Sequence, residues 1–222
     1  AALWRAIRRE DVSKRARDFI WKIVHDAHRV GRYWSNIPGY ETRATCSKCG
    51  VIEDMDHVLT KCTAAGPAQL WRLTRALLSK REIDLPDDMD VAFIAGSPLC
   101  EVKNSNGDIK TGDTRLLRIV LTETAHLIWR MRCERVIEWG SEEGKEHTER
   151  EIDNKWMAML NARIGLDQAM TSARLTGRRK IAEAKVRATW KGTLRNEQDL
   201  PEDWAVRRIW VLVGKPDVRP NG

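Results

Sequence analysis

The sequence predicts a mainly α-helical protein: a helical domain with an embedded metal knuckle, followed by a second helical segment with long helices. Three observations carry this. Apolar residues recur at three- and four-residue spacing over several stretches, the signature of amphipathic helices. Cys46, Cys49, His57 and Cys62 fall as C-x2-C-x7-H-x4-C within 17 residues. Turn chemistry gathers between 82 and 112, at Pro86, at Gly96-Ser97-Pro98 and from Asn104 to Gly107.

Taken in order, residues 2–9 can form a turn or two of helix. Ser13 then suits an N-cap, and Ala16, Phe19, Ile20, Ile23, Val24 and Ala27 form one stripe of a helix over 13–29. Pro38-Gly39 marks a turn, and the knuckle occupies 44–62. Gly66-Pro67 restarts a helix over 67–81. The segment 82–112 reads as irregular, with Val91–Ile94 its one strand candidate and a boundary near 100–112. Residues 114–140 give the longest helix, whose wide apolar face implies burial on more than one side. A helix over 149–164 follows, separated by Gly165 from a last helix over 167–197 with a thin stripe. The expected organisation is a zinc-binding helical domain at 1–100, a helical extension with a basic helix at 113–213, and a flexible tail at 214–222.

Composition bounds the function. Of 222 residues, 42% are hydrophobic and 32% charged, ordinary for a folded protein with a sizeable core. No run of 18 or more uncharged apolar residues occurs and the N-terminus has no signal-peptide pattern, so the expected setting is intracellular, nucleus or cytoplasm, with no membrane partner. The chain begins Ala-Ala-Leu without an initiator methionine, which reads as a fragment of a longer polypeptide. A net charge of +7 points mildly to polyanions. Ten tryptophans against two Tyr and two Phe are expected mostly as core anchors.

The cysteine spacing is the sharpest signal. Zinc takes four nitrogen or sulfur ligands in a tetrahedron, and a C-x2-C turn relaxed by Gly50 can aim two thiolates at one ion. His57 and Cys62 return from the far side, five positions apart. Four protein ligands leave no open position for water, so one structural zinc per chain is expected. Incidental buried thiols or a disulfide are the alternatives. Cys100 and Cys133 read as inert buried thiols.

Two further groups stand out. Around 171–195, Arg174, Arg178 and Lys185 would share one face of a helix, and Arg187, Lys191 and Arg195 another. Such a ladder can neutralise phosphates, or it can be a solvated face. Trp190 amid these charges could stack a base, though a core role suits it better. His25 and His28, one turn apart, could pair on a metal or touch phosphate, or simply pack. His126 reads as a hydrogen-bonded core residue. No phosphate loop, nucleophile elbow, H-E-x-x-H or dinucleotide loop occurs, and the Asp87-Asp88 and Glu142-Glu143 pairs lie in loops, so no catalysis is expected within this chain.

Leu3-Trp4, Arg17-Asp-Phe-Ile-Trp21-Lys22, Cys46-x2-Cys49-Gly50, Glu53, His57-Val58-Leu59, Cys62 and Leu70-Trp71 together resemble the reverse-transcriptase zinc-binding domain, which lies near the C-terminal end of non-LTR retrotransposon polyproteins. The wording of 17–40 and of 121–137 is most similar to the fungal branch. The specific match covers residues 1–75, and 113–213 resembles C-terminal extensions of fungal copies. The resemblance implies zinc on Cys46, Cys49, His57 and Cys62, Glu53 as a non-ligand acid, and a role in engaging RNA or target DNA during reverse transcription. The parent polyprotein would be a reverse transcriptase, and its other domains would be partners. Arg29, Arg32, Arg43, Lys48, Lys61 and the ladder residues Arg174, Arg178, Lys185, Arg187 and Lys191 are the expected nucleic-acid contacts. A rival reading of a different class is a non-catalytic protein-interaction scaffold stapled by the zinc.

Overall fold

The computed structural model describes residues 2–140, 144–177, 180–207 and 209–214. It is mainly helical. Among the described residues, extended pairing is limited to isolated antiparallel bridges, Thr45 with Ile52, Lys103 with Ile109 and Leu194 with Val213.

Among the described residues, eight α-helices carry the architecture. The first, α1 (Ala2–Ala6), is a single turn. Ser13 caps α2 (Lys14–Val24) by accepting from the Ala16 amide at 3.2 Å. α2 stops five residues before the stripe of small and branched residues predicts. Asp26 takes φ +47°, the Asp26 amide donates to Ile23 and the Ala27 amide to Lys22, which closes the helix as a Schellman turn. His25 and His28 therefore do not share a helix face. His25 lies against the Trp4 and Trp21 rings, while buried His28 bonds the Phe19 carbonyl at 3.2 Å. A short α3 (Arg32–Ser35) leads to the knuckle, and α4 (Pro67–Ser79) begins with proline at its first turn.

Two expectations need correction here. Val91–Ile94, the strand candidate, is helical within α5 (Val91–Gly96). The Asp90 carboxylate accepts from the Phe93 amide at 2.7 Å, and this cap together with burial of Ile94 and Ala95 overrides the β-preference of the branched residues. Second, Gly165 does not divide a helix. α7 (Glu149–Met170) runs through it behind a capping box at Thr148 and Glu151. The apolar anchors Trp156, Leu160 and Ile164 outweigh the roughly 1 kcal/mol that an internal glycine costs. The chain instead leaves the helix at Thr171, the described residues 172–177 and 180–182 form no α-helix, and the Ile181 amide returns to the Met170 carbonyl at 2.9 Å. Among the described residues, the expected 167–197 helix is α-helical over 167–170, the end of α7, and over α8 (Glu183–Trp190).

Between them, α6 (Thr111–Cys133) is the axis of the molecule, continued by a π turn at Glu134–Glu138. It packs against α2, α4, α5, α7 and α8, and it is buried on several sides as its wide apolar face predicts. One apolar core draws on residues from Ile7 to Val213, so the segments 1–100 and 113–213 both line it. α6 and α8 approach so closely at Gly112 that a Cβ there would lie 2.3 Å from the Ala188 carbonyl oxygen. Trp71, Trp156, Trp190 and Trp204 are buried in the core, whereas Trp21 and Trp210 are exposed. Gly214 still bonds Thr193 through its amide at 2.8 Å, and 215–222 of the expected tail lie outside the described residues. Among the described residues, no helix is long and apolar enough to cross a membrane.

Candidate metal centre

The knuckle assembles from two short devices. A tight hairpin joins Thr45 to Ile52. The Cys46 amide donates to Val51 and the Gly50 amide to Cys46, both at 2.8 Å. Gly50 takes φ +70°, which an L side chain rarely adopts, so the chain can reverse directly after the second cysteine. The second device is the π turn His57–Lys61. In an α-helix, residues five apart stand about 140° apart around the axis. Here the Cys62 amide reaches back to the His57 carbonyl at 2.8 Å, and the widened turn brings both side chains to one side. This is the physical sense of the H-x4-C spacing.

One ligand atom from each of Cys46, Cys49, His57 and Cys62 lies within 4.8 Å of the others, and these residues could hold a metal ion. The Cys62 sulfur is 3.8 Å from that of Cys46 and 3.9 Å from that of Cys49. A disulfide needs about 2.05 Å, so all are free thiols. An ion with sulfur bonds of roughly 2.3 Å in a tetrahedron has sulfur–sulfur edges of about 3.8 Å, which these spacings fit. Nε2 of His57 is buried without a hydrogen-bond partner among the described residues, a lone pair suited to a metal.

Electrostatics point the same way. Burial, opposed by a backbone N–H at Ala64 and reinforced by the adjacent Cys46 and Cys49 sulfurs, pushes the Cys62 thiol up to about 12. The Thr63 hydroxyl and backbone N–H hold Cys49 below the usual thiol value, and that hydroxyl lies 3.2 Å from its sulfur. A cation among these sulfurs would offset the cost of burial and stabilise their thiolate forms.

The surrounding shell fixes the knuckle on the core. Asp54 caps the π turn by accepting from the His57 amide at 2.6 Å. Asp56 accepts from the Val91 amide at 2.8 Å, and Trp71 Nε1 donates to the Leu59 carbonyl at 2.7 Å. Glu53, buried, pairs with buried Arg132 on α6. Sequence reasoning singled out Glu53 but missed its partner. The available signal was the acid itself, since a buried carboxylate needs a cation and the long apolar helix offers few.

The candidate polyanion contacts are scattered. Arg29 and Arg43 line one groove, and Arg32 is exposed on α3 nearby. Lys48 pairs with Glu146, and Lys61 with Asp56 at 2.5 Å. Lys185 pairs with Glu10, and Arg187 with Glu183 at 2.7 Å. Arg174 is exposed in the irregular segment, Lys191 follows α8, and Arg178 lies outside the described residues. Because α7 ends at Met170 and α8 begins at Glu183, the described members of this set do not share one helix as the ladder requires.

Comparison with known proteins gives no family model, no curated protein and no solved structure that matches the chain.

Proposed function

We propose that this chain is a zinc-stabilised nucleic-acid-binding module of a retrotransposon-derived protein, one that supports RNA or target-DNA engagement in reverse transcription. The observation that carries the reading is the Cys3His cluster at tetrahedral spacing, directly preceded in the chain by exposed Arg29, Arg32 and Arg43. Zinc suits the site because three thiolates and an imidazole are one of its usual structural ligand sets and no open position is needed. The metal's role is to hold the chain that bears these arginines against the core. The motif order over 1–75 that resembles the reverse-transcriptase zinc-binding domain adds the link to a polymerase, whose chemistry would belong to other domains of a parent polyprotein.

A protein-interaction scaffold is the second reading, favoured by the exposure of Ile137 at 70% and Trp210 at 95%. Salt separates the two. The zinc-quantified chain is titrated into labelled single-stranded RNA and duplex DNA at several salt concentrations. One equivalent of zinc and binding that weakens log-linearly with salt supports the module. One equivalent of zinc without salt-sensitive binding supports the scaffold.

A further inference from the structure

A groove of about 930 Å³ lies between the 27–43 segment and the C-terminal end of α6. Its lining combines cations with aromatic rings. Lys22, Arg29, Arg43 and Arg132 face it together with Trp34 and Trp129, and none of its lining residues is acidic. Arg132 is paired with Glu53, but Lys22, Arg29 and Arg43 have no carboxylate partner among the described residues. Its arginines are already set over rings. Arg43 Cζ lies 5.4 Å from the Trp34 ring and 4.9 Å from Tyr40, and Arg29 Cζ lies 5.5 Å from Tyr33. Trp34 is fixed in place by donating from Nε1 to the Arg29 carbonyl at 2.9 Å, and Trp129 by His28, 4.4 Å away between centroids.

Each component has a chemical consequence. Exposed arginines and a lysine without acidic partners attract a polyanion. The two half-buried indoles line the concavity, each with a guanidinium already over its ring, Arg43 on Trp34 and Arg132 on Trp129, both at 5.4 Å; an unpaired base stacks on such rings beside or in place of the cation. A duplex keeps its base faces internal and presents a convex backbone, so it satisfies the cations but not the rings. An acidic peptide meets the charge yet brings no planar face.

We propose that this groove binds a single-stranded polynucleotide, with Trp34 and Trp129 as the stacking faces and Lys22, Arg29 and Arg43 on its phosphates. The proposal rests on the nucleic-acid reading above and narrows it to one site and one strand state. Neither the zinc ligands nor the 174–191 cations take part.

The test uses the full zinc-loaded chain and fluorescence anisotropy. The probes are a labelled oligouridine, an abasic sugar-phosphate oligomer of equal length, a duplex and polyglutamate. R29Q/R43Q removes two exposed groove charges, and R72Q/K80Q removes two exposed charges from α4 and its end. The wild type is expected to prefer oligouridine to the other three. R29Q/R43Q should weaken that binding by about tenfold or more at low salt and flatten its log–log salt slope by about 1.4, while R72Q/K80Q leaves both unchanged. Wild-type affinity in R29Q/R43Q, with oligouridine still bound, overturns the groove and spares the nucleic-acid reading. Equal binding of the abasic oligomer, duplex or polyglutamate overturns the stacking site. Absence of binding to every polymer overturns both.

Discussion

Two buried polar centres sit at opposite ends of α6, and they are built on different principles. At its C-terminal end the knuckle gathers four candidate metal ligands from 17 residues of chain, with one donor atom of each within 4.8 Å of the others. At its N-terminal end Asp167 of α7 takes both guanidinium nitrogens of Arg115 at 2.7 and 2.8 Å, and Trp190 Nε1 of α8 at 2.8 Å. Thr189 accepts from Arg115 at 3.0 Å, and Arg163 lies 3.5 Å from the same carboxylate. Asp11 adds a second acid, 3.3 Å from Arg118. This clamp closes on itself, joining three helices whose contributing residues lie 23 to 74 positions apart. The first centre is local in sequence and could hold a metal ion, whereas the second is distant in sequence and is closed by the fold's own side chains.

The largest expected effect breaks the first centre alone. Stripping the zinc proposed for the knuckle with a chelator, or Cys49→Ser, should cost on the order of 10 kcal/mol of apparent folding free energy at neutral pH. Hydrogen-exchange protection should vanish over 45–62 and in α2, and persist in α7 and α8 around the clamp. A Cys49→Ser protein that kept both its cooperative melt and its metal would sink the assignment of the knuckle as a structural zinc site.

The clamp should fail independently. Asp167→Ala leaves buried Arg115 and Arg163 with only the more distant Asp11 and Glu123 carboxylates, each at 3.9 Å, and Trp190 Nε1 without this acceptor, a loss of about 3–5 kcal/mol. Because the clamp shares no partner with the knuckle, that loss should add to the effect of the chelator rather than merge with it. Urea denaturation of the variant with and without chelator checks this. Strong non-additivity would show that α6 transmits between its two ends.

The same contrast explains what the sequence could reveal. The knuckle was legible because C-x2-C-x7-H-x4-C constrains geometry within a few turns of chain, and α2, α4 and α6 because their apolar periods are long. The metal's identity rests on donor chemistry and spacing rather than on the fold. The stop at Asp26 was hidden, since a non-glycine residue at positive φ leaves no strong mark in a sequence. Gly165 misled in the opposite direction: its local cost is small beside the tertiary burial of Ile164 and Asp167 on either side. The expected basic helix failed for a related reason, because periodic cations without a broad apolar face have nothing to hold a helix against the core. Arg115 and Asp167, and likewise Glu53 and Arg132, were invisible because pairing across 52 and 79 positions is a property of packing.

A smaller and pH-dependent effect falls between the two centres, on the middle of α6. His126 lies against Phe19, 5.6 Å between centroids, and lines a cavity of about 510 Å³ with Glu123, Arg130 and Arg163. Burial, then the Arg130 and Arg15 cations, push its pKa from 6.5 down to about 4. Above pH 6.5 the imidazole is neutral in folded and unfolded chains alike and adds no pH dependence. As the pH falls towards 4 the unfolded chain takes up a proton that the folded chain refuses, so stability declines through this window and levels off below it. Because the ring is partly solvated, the decline from this residue should be on the order of 1 kcal/mol. Burial lowers His28 and His147 in the same direction, and acid also protonates the knuckle thiolates. Both contributions persist in His126→Leu, so the difference between its urea midpoints and those of the wild type from pH 7 to pH 4 isolates His126. The gap should open in favour of the variant below pH 6.5. Parallel curves would mean that the imidazole is protonated as readily in the folded chain as in the unfolded one, and that the cavity beside it is wet enough to solvate the charge.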